Sequence, residues 1–120
     1  MEEFNAPQIR TIRDYTIVNV NVGLHYGLIV MSSAHIAKES NKYTGDVFIK
    51  NVDKNSRRVN AKSVLSLMTL EASKGTKLRI YVKGTDLEAR TFVQRLYSGI
   101  STEGPEDDSY YMNFDRFTTK

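Results

Sequence analysis

The stretch with the clearest chemical potential is Asn60-Ala61-Lys62-Ser63-Val64-Leu65-Ser66-Leu67-Met68-Thr69-Leu70. After Ser63, apolar side chains recur at Val64, Leu65, Leu67, Met68 and Leu70, which is helical spacing. Ser63 is then the N-cap of a short helix, its hydroxyl accepting from a backbone N–H two or three residues on. A hydroxyl, unpaired N–H donors and apolar side chains lie together at such a place. It can hold an anion, receive a phosphate or dock a partner. The plainer reading is a serine that only caps a core helix.

The rest of the composition narrows the chemistry. The 120 residues fit one domain with a modest core, 40% hydrophobic and 26% charged. Cysteine is absent, which excludes a disulfide framework, a thiolate zinc site and a cysteine nucleophile. The two histidines, His25 and His35, have no metal-ligand spacing around them, and Glu71 and Asp86 read as helix residues. No metal or cofactor is expected, and nothing points to an independent enzyme. No apolar run approaches the roughly 20 residues of a membrane span. With the acidic start Met1-Glu2-Glu3-Phe4, a cytoplasmic protein without membrane insertion is expected.

The net charge of +3 is uneven. Residues 101–120 hold Glu103, Glu106, Asp107, Asp108 and Asp115 against Arg116 and Lys120, a balance of −3 that leaves +6 on residues 1–100. A basic body suits nucleic acid, acidic proteins or phosphate chemistry.

Several elements must position these residues. Residues 1–13 have no period and read as a loosely attached arm. Tyr15 to Val22 alternates as a strand, broken by Gly23-Leu24-His25-Tyr26-Gly27. A helical pattern runs from Leu28 to about Lys38, with His35 a structural or surface residue on it. Asp46 to Asn51 and Arg57 to Asn60 form a hairpin around Asp53-Lys54-Asn55-Ser56. The Ser63 helix is expected to stop near Ser73-Lys74-Gly75. Lys77 to Lys83 is a half-buried strand. Thr85 to Glu88 reads as a capping box for a last helix ending near Gly99. The βαββαβ order predicts an α+β fold with helices on one face of an antiparallel sheet.

Two of these segments resemble one family. Residues 60–70 are similar to the regulatory-serine helix of the histidine-containing phosphocarrier protein (HPr) of the sugar phosphotransferase system. Gly23-Leu24-His25 is similar to the start of that family's Gly-Leu-His-Ala-Arg-Pro-Ala loop. The resemblance covers residues 14–100 and leaves 101–120 as an acidic, aromatic extension. It implies an HPr-like open-faced β-sandwich, four antiparallel strands with three helices on one face. It implies that His25 takes a phosphoryl group from enzyme I and passes it to IIA-type sugar transport components. It further implies that Ser63 is phosphorylated by a serine kinase. Val64, Leu65 and Met68, with Tyr26 and Gly27 beside the histidine, are then the partner-binding residues.

The histidine loop departs from the family. Gly27 stands for Arg and Leu28 for Pro, so a charge-assisted contact to the phosphoryl group is lost. From His25 to Lys42-Tyr43 the chain is about four residues longer than usual, one helical turn. An added turn in the helix keeps His25 in the motif. Alignment without a gap from Lys42-Tyr43 instead matches Gly27-Leu28 to the Gly-Leu, puts Ile29 at the histidine's position, and puts Met31 and Ser32 at Arg and Pro. Three functions follow: a carrier using His25, a regulatory module without phosphotransfer, or, less favoured, a basic RNA-binding domain. The last would use Lys50, Lys54, Arg57, Arg58, Lys77, Arg79 and Lys83, with Tyr81 stacking a base. The extension's Tyr110, Tyr111, Phe114 and Phe117 suit packing on the domain or self-association.

Overall fold

A computed structural model describes residues 7–102. The acidic extension, including the β-rich Tyr110 to Phe114 stretch, lies outside the described residues. Five strands and three helices follow one another: β1 (Arg10–Ile12), β2 (Tyr15–Asn21), α1 (Val30–Ser40), β3 (Val47–Asn51), β4 (Val59–Asn60), α2 (Val64–Met68), β5 (Lys77–Lys83) and α3 (Leu87–Ser101). The strands form one antiparallel sheet in the order β1-β2-β5-β3-β4.

β5 sits at the centre, and its alternation explains the layering. Leu78, Ile80 and Val82 are completely buried, while Arg79, Tyr81 and Lys83 point to the other face. In register beside them are Val20, Val18 and Thr16 of β2, and Asn51, Ile49 and Val47 of β3. α3 packs on β2 and β5 through Ala89, Phe92, Val93, Leu96 and Ile100. α1 packs against α2, which inserts Leu67 into the same core. Burying each such Leu, Ile or Val side chain contributes roughly 1.5–3 kcal/mol. Among the described residues, the opposite face of the sheet carries no helix.

The α+β open-faced sandwich with three helices is as expected, but the sheet has a fifth strand. Arg10–Ile12, expected within a loose arm, pair with Ile17, Thr16 and Tyr15 of β2. Arg13, at φ 57°, and Asp14 turn the chain between the two strands. So short an exposed strand has no readable period, which is why it escapes a pattern search.

Several element ends also differ, and the returning strand of the hairpin is Val59–Asn60 rather than Arg57 to Asn60, which leaves Arg58 in the loop before it. α1 starts at Val30, not Leu28. α2 ends at Met68 rather than near Gly75, since Glu71 takes φ 50°. α3 is capped by Asp86, not Thr85, its carboxylate accepting from the Ala89 N–H at 3.0 Å. α3 also runs through Gly99, because Ile100 is fully buried and its carbonyl accepts from the Gly23 N–H at 2.9 Å.

Candidate functional site

The helix cap at Ser63 forms as its sequence predicts. Asn60 closes a turn by accepting from the Lys62 N–H at 2.9 Å and, through its carbonyl, from the Ser63 N–H at 3.2 Å. Asn41, at the end of α1, donates to the Lys62 carbonyl at 3.1 Å, and the Lys62 ammonium donates to the Tyr43 carbonyl at 2.8 Å. This pins the turn to the C-terminal end of α1. Ser63 has extended backbone, is half-buried, and accepts through Oγ from the Ser66 N–H at 3.2 Å. The helix beyond it has two faces. Leu67 is buried, Val64 and Met68 are half-buried, and Leu65 is 78% exposed. Leu65 is thus a large apolar side chain left in water beside the Ser63 hydroxyl.

The histidine loop forms differently. Leu24 is buried, and residues 24–27 make a turn closed by the Gly27 N–H to the Leu24 carbonyl at 3.0 Å. His25 is half-buried within it, its ring edge-to-face with exposed Tyr26 at 4.6 Å. Gly27 has φ +72°, and a Cβ there would lie 2.3 Å from the Ala72 carbonyl oxygen. The next N–H, of Leu28, donates to that same oxygen at 2.9 Å. The loop is therefore stitched to the segment leaving α2, so the two predicted sites lie on adjoining pieces of chain.

His25 lies in this loop, upstream of the first helix, which starts at Val30. Ile29 holds the N-cap position, with extended backbone. Ser32 supplies what an isoleucine cannot. Its Oγ accepts from the Ile29 N–H at 3.0 Å and donates to the Gly27 carbonyl at 2.9 Å. In the register that equates Ile29 with the family's histidine, the matching residue stands at this helix start, and His25 lies four residues before it in the loop. Met31 and Ser32 occupy the positions of the family's Arg and Pro in that register.

His35 is buried on α1, as a structural residue would be. Burial chiefly lowers its pKa below the usual 6.5, opposed by nearby Glu39 and assisted by Lys38 and Lys42. Glu39 is itself buried and pairs with Lys42 at 3.2 Å and Arg95 at 3.6 Å.

On the open sheet face, sequence reasoning named Arg58, Tyr81 and the cations beside them but missed that Tyr15 and Phe48 join them in one cluster. Tyr81 pairs in register with Ile17 and Phe48. The Arg58 guanidinium lies 4.8 Å from the centre of Phe48, 5.2 Å from that of Tyr81 and 5.3 Å from that of Tyr15. Lys50, Arg79 and Lys83 share the face, whereas Lys54 pairs with Glu71 at 2.6 Å. Alternation along β5 reveals the Tyr81 side; the loop residue Arg58 has no periodic signal.

An open-faced sandwich, with a loop before its first helix touching the exit of a serine-capped short helix, defines a phosphocarrier-type domain. Comparison with known proteins agrees. Residues 14–97 match the family model described as the PTS HPr component phosphorylation site. The chain is 39% identical over 67 residues to the HPr-like protein Crh of Bacillus subtilis, covering 56% of this chain and 75% of that one. It is 34% identical over 79 residues to the phosphocarrier protein HPr of Neisseria meningitidis, covering 65% and 85%. The crystal structure of HPr from Bacillus anthracis superimposes with a TM-score of 0.65 at 26% identity, over 73% of this chain and 99% of that one. The chain belongs to the HPr family. Members of this family are phosphocarriers of the phosphotransferase system and not enzymes.

Proposed function

We propose that this chain is a regulatory HPr-like module whose switch is Ser63, and that it does not relay phosphoryl groups through its first helix. The observation that carries this is Ile29 at the N-cap of α1. A phosphorylated imidazole at that position would meet first-turn N–H donors and the positive end of the helix dipole. Isoleucine has no atom that accepts a phosphoryl group. His25 lies back in the loop against Tyr26, and Gly27 and Leu28 follow it in place of a cation and a proline.

Ser63 keeps the features that a regulatory site needs. Phosphorylation there adds about −1.5 to −2 charge. That charge would stand beside exposed Leu65 and half-buried Met68 and Val64. The group would thus turn an apolar docking patch into one read by basic residues of a partner. The kin named Crh support a regulatory role. Its setting would be cytoplasmic, among phosphotransferase-system components and a serine kinase.

A second reading keeps His25 as the phosphoryl acceptor from enzyme I, with IIA-type components downstream. The partial exposure of His25, beside the segment leaving α2, favours it. One experiment separates the two. The chain is incubated with ATP and an HPr serine kinase, and separately with phosphoenolpyruvate and enzyme I, and phosphate is mapped by mass spectrometry. The regulatory reading expects acid-stable phosphate on Ser63, abolished by Ser63→Ala, and none on histidine. Acid-labile phosphate lost in His25→Ala would restore the carrier. Phosphate unchanged in Ser63→Ala would remove the switch.

A further inference from the structure

We propose that the open face of the sheet is the docking site of this chain's own C-terminal segment, residues 103–120. The face has two chemistries at once. Tyr15, Tyr81 and Phe48 come from the adjacent strands β2, β5 and β3, and Arg58 covers all three rings at 4.8–5.3 Å. Arg10, Lys50, Arg79 and Lys83 surround them, and the only acid paired there among the described residues is Asp14, 3.5 Å from Lys83. A guanidinium held near ring faces keeps N–H donors that fit carboxylates in pairs. Among the described residues no helix covers this face, since α1, α2 and α3 pack on the other side.

The segment has the matching pair of chemistries. It holds Glu103, Glu106, Asp107, Asp108 and Asp115 against two basic residues, with Tyr110, Tyr111, Phe114 and Phe117 among them. The described chain ends at Thr102, and at about 3.3 Å per residue the eighteen residues beyond it can span up to ~60 Å. The longest principal extent of the protein is 39 Å, so the face is within reach. Single-stranded nucleic acid also suits cations interleaved with aromatics. A tethered acidic segment competes at an effective concentration in the millimolar range, which favours the segment over a free ligand.

The test exploits the absence of cysteine. A nitroxide on Ser109→Cys in the full chain is expected to broaden the amides of Tyr15, Phe48, Arg58 and Tyr81 while sparing α1. Salt raised to about 0.5 M should weaken the effect, because the charges are exposed. R58E with R79E should abolish it, and so should D107K with D108K, which leaves the folded face untouched. Broadening confined to the helices, or absent, overturns the proposal. So does a pattern unchanged by both charge reversals. Broadening seen only when label and isotope sit on different chains overturns docking within one chain and assigns the face to a second copy. A uridine oligonucleotide that shifts these amides in a chain without such broadening assigns it to nucleic acid.

Discussion

Ser63 caps α2 and, on the proposed function, is also the switch, and substitutions can divide the two. As a cap it accepts one N–H, that of Ser66, at 3.2 Å, the long end of the normal range. Loss of a capping serine costs about 0.5–2 kcal/mol. The long bond and partial exposure of Ser63 select the lower half, so Ser63→Ala should cost about 0.5–1 kcal/mol. With a urea slope of about 1.5 kcal/mol/M, the unfolding midpoint should fall by roughly 0.3–0.7 M. Ser63→Asn keeps a capping oxygen and removes the phosphorylatable hydroxyl. Its stability should stay within a few tenths of a kcal/mol of the parent chain. Urea titration followed by far-ultraviolet circular dichroism measures all three proteins. If Asn loses as much as Ala, or Ala loses nothing, the capping geometry does not stabilise α2 and the argument fails. If both variants lose kinase-dependent phosphate while only Ala loses stability, cap and switch are distinct properties of one oxygen.

Two other perturbations probe the loop and the core. Gly27→Ala places a Cβ 2.3 Å from the Ala72 carbonyl at φ +72°, and strain at such a position is worth about 1–3 kcal/mol before the clash is added. A loss above about 2 kcal/mol in thermal or urea unfolding is expected; a variant as stable as the parent would show that the loop is not held against residue 72. His35 gives a pH signature. Its folded pKa is lowered, so the unfolded chain binds the proton more readily. Stability is therefore complete above pH 6.5 and declines as pH falls through the lowered folded value. His35→Gln should flatten that decline, and parallel stability–pH curves for the two proteins would refute the assignment.

The strands with strict alternation were legible from sequence because one face is dry and the other wet. Lys77–Lys83 is the clearest case: three completely buried residues alternate with Arg79, Tyr81 and Lys83. Ser63 was legible for a local reason, since a capping hydroxyl and the apolar positions after it are written within a few residues. β1 was not legible, because three exposed residues carry no pattern, and only pairing with β2 makes them a strand. Nor was the choice between Thr85 and Asp86 as cap. Both are good capping residues, and the buried position of Ala89 on the core decides which one starts the helix. The Arg58 cluster required three strands to be brought side by side before any of it existed.

The histidine register shows how a local rule can be overridden by a contact from elsewhere. Gly-Leu-His fits its motif over three residues, and about four extra residues are one helical turn, which α1 could have absorbed. Three contacts prevent that. Gly27 adopts a left-handed φ, which ends any helix started before it. The Ala72 carbonyl takes the Leu28 N–H, fixing Leu28 in the core. Ser32 then reaches back to the Ile29 N–H and the Gly27 carbonyl, capping α1 from inside its own first turn. Together they set the helix start at Val30 and leave His25 upstream of it. The donor-rich end of α1 faces an isoleucine. On the function proposed above, the hydroxyl that takes a phosphoryl group at a helix start is that of Ser63, which caps α2, while Ile29 at the start of α1 relays none.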